Sequence, residues 1–155
     1  MNETLSLQTM ITPQTAQAQV SVGSPNAVID AIGKLLLDAG KITPDYIQAM
    51  KDALVEMGPY SVIAPGVVLL HARPENGVLE PCLALMTLAT PVEFGHSEND
   101  PVDVAVAFGA TDKEKHIAAL MQLADLLGNE EVMKRVKTAA TDEELLAAVR
   151  SYSTG

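Results

Sequence analysis

The middle of the chain constrains the fold most. Four short apolar runs lie there, YSVIA (60–64), GVVLL (66–70), CLALMTL (82–88) and VDVAVAF (102–108), separated by Pro, Gly, Asn and Asp. Runs this short and this rich in Val and Leu, with few polar interruptions, read as strands buried on both faces. Such a sheet needs helices over each face, so the flanking sequence must supply two helical layers.

It has the segments to do so. SPNAVIDAIGKLLLDAG (24–40) offers Ser24 as a helix cap, Pro25 in the first turn, an apolar face of Val28, Ile29, Ile32, Leu35 and Leu36, and Gly40 as a stop. The same grammar returns with Thr43 as cap, Pro44 at the first helical position, and Tyr46, Ile47, Met50, Leu54 and Met57 ahead of a Gly58-Pro59 break. Upstream, TAQAQVSV (15–22) alternates with a period of two, which predicts a strand with one wetter face. Downstream, Thr111 to Glu114 has the form of a capping box, followed by a predicted apolar face of Ile117, Leu120, Met121, Ala124 and Leu127 ending near Gly128. EEVMKRVKTA (130–139) and TDEELLAAVRS (141–151) close the pattern, the latter with a second capping box at Thr141 and Glu144. The expected architecture is α/β, a mixed β-sheet sandwiched between α-helices in three layers. One domain is expected over residues 1–155, with residues 1–12 as a flexible N-terminus.

Composition narrows the function classes. The residues are 48% hydrophobic yet include only three Tyr, two Phe and no Trp, so aliphatic side chains and Met must fill the core. A net charge of −10 argues against nucleic acid, whose phosphates call for clustered Lys and Arg. Cys82 is the single cysteine, so neither an intramolecular disulfide nor a thiolate metal cluster is available, which suits a reducing cytoplasm. Its place inside an apolar strand predicts a buried, inert thiol. The sequence shows neither a basic start leading into an apolar leader nor a run of roughly 20 apolar residues, so a soluble, cytoplasmic protein without membrane insertion is expected.

Three histidines carry the remaining chemistry. His71 ends the second apolar run and opens HARPENG (71–77), where an imidazole at a strand end is either an edge residue or a reactive group offered to a partner. Arg73, two residues on, brings a fork of donors suited to phosphate or carboxylate. A neutral imidazole is nucleophilic near pH 7, so the segment has the parts to accept and hold a phosphoryl group. His116 falls in the first turn of a predicted helix, where free N–H groups and the macrodipole favour an anion. Partial burial against the backbone is an equal reading of this residue. His96 sits in EFGHSENDPVD (93–103) and reads as a solvated loop residue. Zinc would need a close ligand pair such as H-x-x-x-H, and these histidines are 25 and 20 residues apart. No metal or cofactor site is expected, and no phosphate-binding Gly-rich motif or G-x-S-x-G is present.

The residues resemble the enzyme IIA domains of the bacterial phosphoenolpyruvate-dependent sugar phosphotransferase system, in the mannitol and fructose class. GKITPDYIQAM (40–50) is similar to that family's G-x-I-x-x-x-Y-I-x-A-M helix. Glu56, Ile63, Ala64, Val67, Leu69, His71 and Ala72 fit the spaced pattern around its active histidine, TPVEFG (90–95) continues the match, and DKEKHIAALMQLADLL (112–127) is similar to the helix carrying its second functional histidine. GPYSVIAPG, HARPENGV and NDPVDV look closest to the ascorbate-type branch. Three positions depart from the pattern: Val68 replaces the usual Ala, Leu70 the usual Pro, and Ala53 an arginine of mannitol-type members.

The resemblance implies a phosphoryl relay. His71 would take the phosphoryl group from the phosphocarrier HPr and pass it to the cognate enzyme IIB, which serves sugar uptake, ascorbate-like in character, through the membrane enzyme IIC. His116 would hydrogen-bond the phosphoryl oxygens. Arg73 is a weaker electrostatic candidate, inferred from the residues themselves. Docking two partners would favour an apolar rim at His71 if Val67 and Leu69 faced outward; their strand context favours the core. The competing reading is a non-catalytic or weakened regulatory module of the same fold, the product of changes such as Val68 and Leu70.

Overall fold

A computed structural model of the chain describes residues 10–151. Its centre is a five-stranded mixed sheet built from β1 (Ala16–Val20), β2 (Val62–Ala64), β3 (Val67–Leu70), β4 (Cys82–Val92) and β5 (Val102–Gly109) in the order β1-β4-β5-β3-β2. β1 runs parallel to β4 and β3 parallel to β5, whereas β4 with β5 and β2 with β3 are antiparallel. Each predicted apolar run became a strand, and the third extended to Val92.

The period of two sorts the strand residues into two cores. Val67, Leu69, Leu83, Leu85, Val104, Val106 and Phe108 face one layer. Val68, Leu70, Cys82, Ala84, Met86, Ala105 and Ala107 face the other. The second face is covered by α1 (Pro25–Asp38) and α2 (Pro44–Met57), whose Val28, Ile29, Ile32, Leu36, Tyr46 and Met50 are buried. The first face is covered by α3 (Lys113–Leu127), α4 (Glu130–Thr138) and α5 (Asp142–Arg150). The expected three-layer α/β sandwich is the observed one.

Sequence signals and structure agree at some helix ends. The Ser24 hydroxyl accepts from the Ala27 N–H, and Thr141 accepts from Glu144 N–H. Thr43 occupies the N-cap of α2 without a side-chain cap bond, its N–H instead donating to the Gly77 carbonyl at 2.9 Å. That contact seats the turn after His71 on the start of α2. Gly77 adopts φ 131° there, and a Cβ at this position would collide with Thr43 Oγ1.

Three expectations are corrected. α3 is capped by Asp112, which accepts from the Lys115 N–H, and not by Thr111. The buried stripe of α3 is Ala119, Leu123 and Leu126, leaving Ile117 and Met121 exposed, so the predicted apolar face is rotated from the true one. Of the N-terminal residues expected to be flexible, 1–9 lie outside the described residues, while Met10 and Ile11 are buried in the core beside α3 to α5.

Cys82 is buried, and desolvation pushes its thiol up to about 12, in keeping with an inert core residue. Among the described residues, no helix is long and apolar enough to cross a membrane.

Candidate functional site

Strand parity decides where His71 points. Residues 67 and 69 face the layer of α3 to α5, so His71, one step beyond the end of β3, continues on that side. The parallel register sets Leu70 opposite Ala107, which brings His71 abreast of Phe108. The two rings stack with centroids 5.1 Å apart and planes 29° from parallel. α3 begins shortly after β5 and carries His116 over the same point. The His116 ring lies 5.1 Å from Phe108 and 5.4 Å from His71. Three rings thus form a triangle, with fully buried Phe108 as its floor.

The triangle opens into a cleft of about 840 Å³, lined on one side by Ala53, Glu56 and Met57 of α2, on another by Arg73 to Glu75, and on a third by Thr111 to Lys113. His71, His116 and Arg73 are therefore brought together, as the sequence suggested. His96 is not among the lining residues. It organises its own turn, its Nδ1 accepting from the N–H groups of Glu98 and Asn99, while the Asp100 carboxylate accepts from those of Phe94, Gly95 and His96. His96 lies in a loop, as expected, and is half-buried there. Among the described residues, no group of three or more His, Cys, Asp or Glu side chains is placed to hold a metal ion.

In each site histidine Nδ1 is buried and without a hydrogen-bond partner. Nε2 of each ring is thereby left as the nitrogen that could meet a reactant in the cleft. Burial lowers the pKa of His71 below its ordinary 6.5, and the neighbouring His116 lowers it further. Burial also lowers that of His116. Both rings are neutral at pH 7, the state a nucleophilic imidazole requires.

The same shifts fix the pH response of stability. Well above pH 6.5 both rings are neutral in the folded and unfolded chains and contribute no slope. Below it the unfolded chain takes up protons that the folded site resists, so stability falls until the pH drops beneath the lowered folded values. Urea midpoints measured from pH 8 to pH 5 are expected to decline below pH 6.5, with a shallower decline in His116→Ala, which removes both its own shift and its effect on His71.

The anion-binding expectation for the start of α3 needs revision. The His116 N–H is taken by the Asp112 carbonyl, and the Asp112 carboxylate already occupies the cap. A helix end that holds a carboxylate attracts a second anion less. Lys113, the first helical residue, lines the cleft and supplies a cation that sequence reading passed over. Phe108 was also missed as a site residue. Its only sequence signal was an aromatic at a strand end in a chain with two phenylalanines.

Val67 and Leu69 belong to the core, 3% and 9% exposed, and form no docking rim. Val68 and Leu70 are buried in the opposite core, with Leu70 in register against Ala107. Their departure from the family pattern leaves His71 in the cleft. Ala53 also lines the cleft, so an arginine at this position would face the histidines' side of α2.

Comparison with known proteins bears on these residues. Residues 9–152 match the family described as phosphoenolpyruvate-dependent sugar phosphotransferase system, EIIA 2. The ascorbate-specific EIIA component of Shigella boydii is 42% identical over 113 residues, covering 72% of this chain and 73% of the relative. That of Escherichia coli strain K12 is 41% identical over the same length and shares. Among solved structures, the cryptic mannitol-specific phosphotransferase enzyme IIA of Escherichia coli superposes with a TM-score of 0.85 at 31% identity, covering 96% of this chain and all of the other. A strand-end histidine facing a second histidine across a buried ring, in a chain matched from residue 9 to residue 152, leads to one conclusion: the chain belongs to the EIIA 2 family of the phosphoenolpyruvate-dependent sugar phosphotransferase system.

Proposed function

We propose that His71 is the phosphoryl acceptor of a sugar-uptake relay in the cytoplasm. It takes the group from the phosphohistidine of HPr and yields it to a cognate enzyme IIB serving a membrane enzyme IIC. The observation that carries this reading is a neutral imidazole at a rigid strand end, its Nδ1 sequestered, beside a second neutral histidine on an open cleft. In the transfer the P–N bond on the donor breaks as the bond to His71 Nε2 forms, and the donor imidazole leaves with the electron pair. The return step to IIB reverses these roles.

His116 hydrogen-bonds the phosphoryl oxygens through an Nε2–H donor. Arg73 and Lys113, both lining the cleft, offset the phosphoryl charge, with Glu56, Glu75 and Asp112 limiting the local positive charge. Positioning and electrostatics carry the chemistry, because each transfer exchanges one phosphorus–nitrogen or similar bond for another without redox change. The sequence similarity to ascorbate-specific relatives supports an ascorbate-like sugar acid as the transported substrate.

The test is a pulse and chase. Phosphoenolpyruvate, enzyme I and HPr should label the protein, and addition of an ascorbate-type IIB should discharge the label faster than a mannitol-type IIB. Label retained with both IIB proteins would remove the onward step. No label at all, with another IIA labelled in parallel, would favour the regulatory reading.

A further inference from the structure

The ladder between β3 and β5 ends at the Leu70 and Ala107 pair, so the next backbone groups need another partner. The side chain that supplies it comes from the opposite helical layer. Tyr46, in the first turn of α2 and 0% exposed, reaches the strand ends with its hydroxyl. The hydroxyl accepts from the Ala72 N–H at 2.9 Å and donates to the Phe108 carbonyl at 2.8 Å, with the Ala72 carbonyl 3.3 Å away. One phenol therefore adds a rung where the strands part.

Its position brackets the proposed acceptor. On one side of His71, Leu70 is held by the sheet; on the other, Ala72 is held by Tyr46. The second bond fixes the backbone of Phe108, whose ring touches both histidines. We propose that Tyr46 is a positioning residue for phosphoryl transfer, setting the spacing of His71, Phe108 and His116 from beneath the site. This rests on the relay reading above. Tyr46 is buried and outside the lining of the cleft, so it acts through the residues it holds and not on the phosphoryl group.

The experiment is Tyr46→Phe, which removes the hydroxyl and keeps the ring, compared with Val136→Ala in α4 as a destabilised control remote from the cleft. Uptake is measured over a range of phospho-HPr concentrations, and the His71 imidazole is titrated by NMR. The expected result is a maximal rate lowered at least about tenfold, an unchanged half-saturating concentration, and a His71 titration moved upward as the ring loses its fixed seat on Phe108. Val136→Ala should change neither the maximal rate nor the titration. Equal rate losses in both variants, or a Tyr46→Phe protein with wild-type rate and titration, would overturn the proposal.

Exchange of the Ala72 amide in wild type gives a second measure should Tyr46→Phe fail to fold. Protection comparable with that of Leu70 supports the clamp, and exchange as fast as an open turn refutes it. If wild type itself takes up no phosphoryl group, the relay reading fails, while the Ala72 exchange and the His71 titration still judge the clamp.

Discussion

His71→Ala is expected to lose phosphoryl uptake by at least about 10³-fold while changing folding stability by no more than about 1 kcal/mol. The first effect follows because the variant lacks the nucleophile, and His116 stands a ring's width away at a centroid distance of 5.4 Å. The second follows from opposing terms. Alanine gives up the stack on Phe108, but it also removes a buried Nδ1 that has no hydrogen-bond partner. An unsatisfied buried polar atom costs about 1–3 kcal/mol, enough to offset the lost ring contact. Uptake assays beside urea titrations check both parts. A variant that still accepts phosphate at a substantial rate would show that another residue is the acceptor.

Phe108→Ala should show the opposite balance, with stability lowered by about 3–5 kcal/mol. The ring is fully buried between the end of β5 and α3, and its removal leaves a cavity beneath both histidines. Water entering there would reduce the desolvation that lowers both imidazole pKa values, so the His71 and His116 titrations should rise toward 6.5. Denaturation midpoints and NMR titration measure the two effects. A stability loss under about 1 kcal/mol, or unmoved titrations, would mean that Phe108 is not the floor of the site.

Much of this arrangement was legible in the residues. The aliphatic runs announced a sheet covered on both faces, and Ser24, Pro25, Pro44 and Thr141 marked helix starts that the structure keeps. His71 could be placed at a strand end because the apolar run stops there. Its partner could not be found the same way. The meeting with Phe108 depends on the register between β3 and β5, strands that pair across about thirty residues of intervening chain, and register is a property of the whole sheet.

The face of α3 was misread for a related reason. It buries a narrow stripe of Ala119, Leu123 and Leu126, and residue type alone does not separate these from exposed Ile117 and Met121. Thr111 and Asp112 are both competent caps, and the path of the chain leaving β5 selects the second. Tyr46 looked like one more apolar position on α2, because its hydroxyl meets partners at Ala72 and Phe108, far along the sequence.

The most direct test is long-range ¹H–¹⁵N NMR of the protein phosphorylated through phosphoenolpyruvate, enzyme I and HPr, which identifies both the modified histidine and the modified nitrogen. With Nδ1 buried in both rings, the expected product carries phosphate on Nε2 of His71, with His116 unmodified and its resonances shifted by the new neighbour. Phosphate on His71 Nδ1, on His116 or on any other residue would contradict the account.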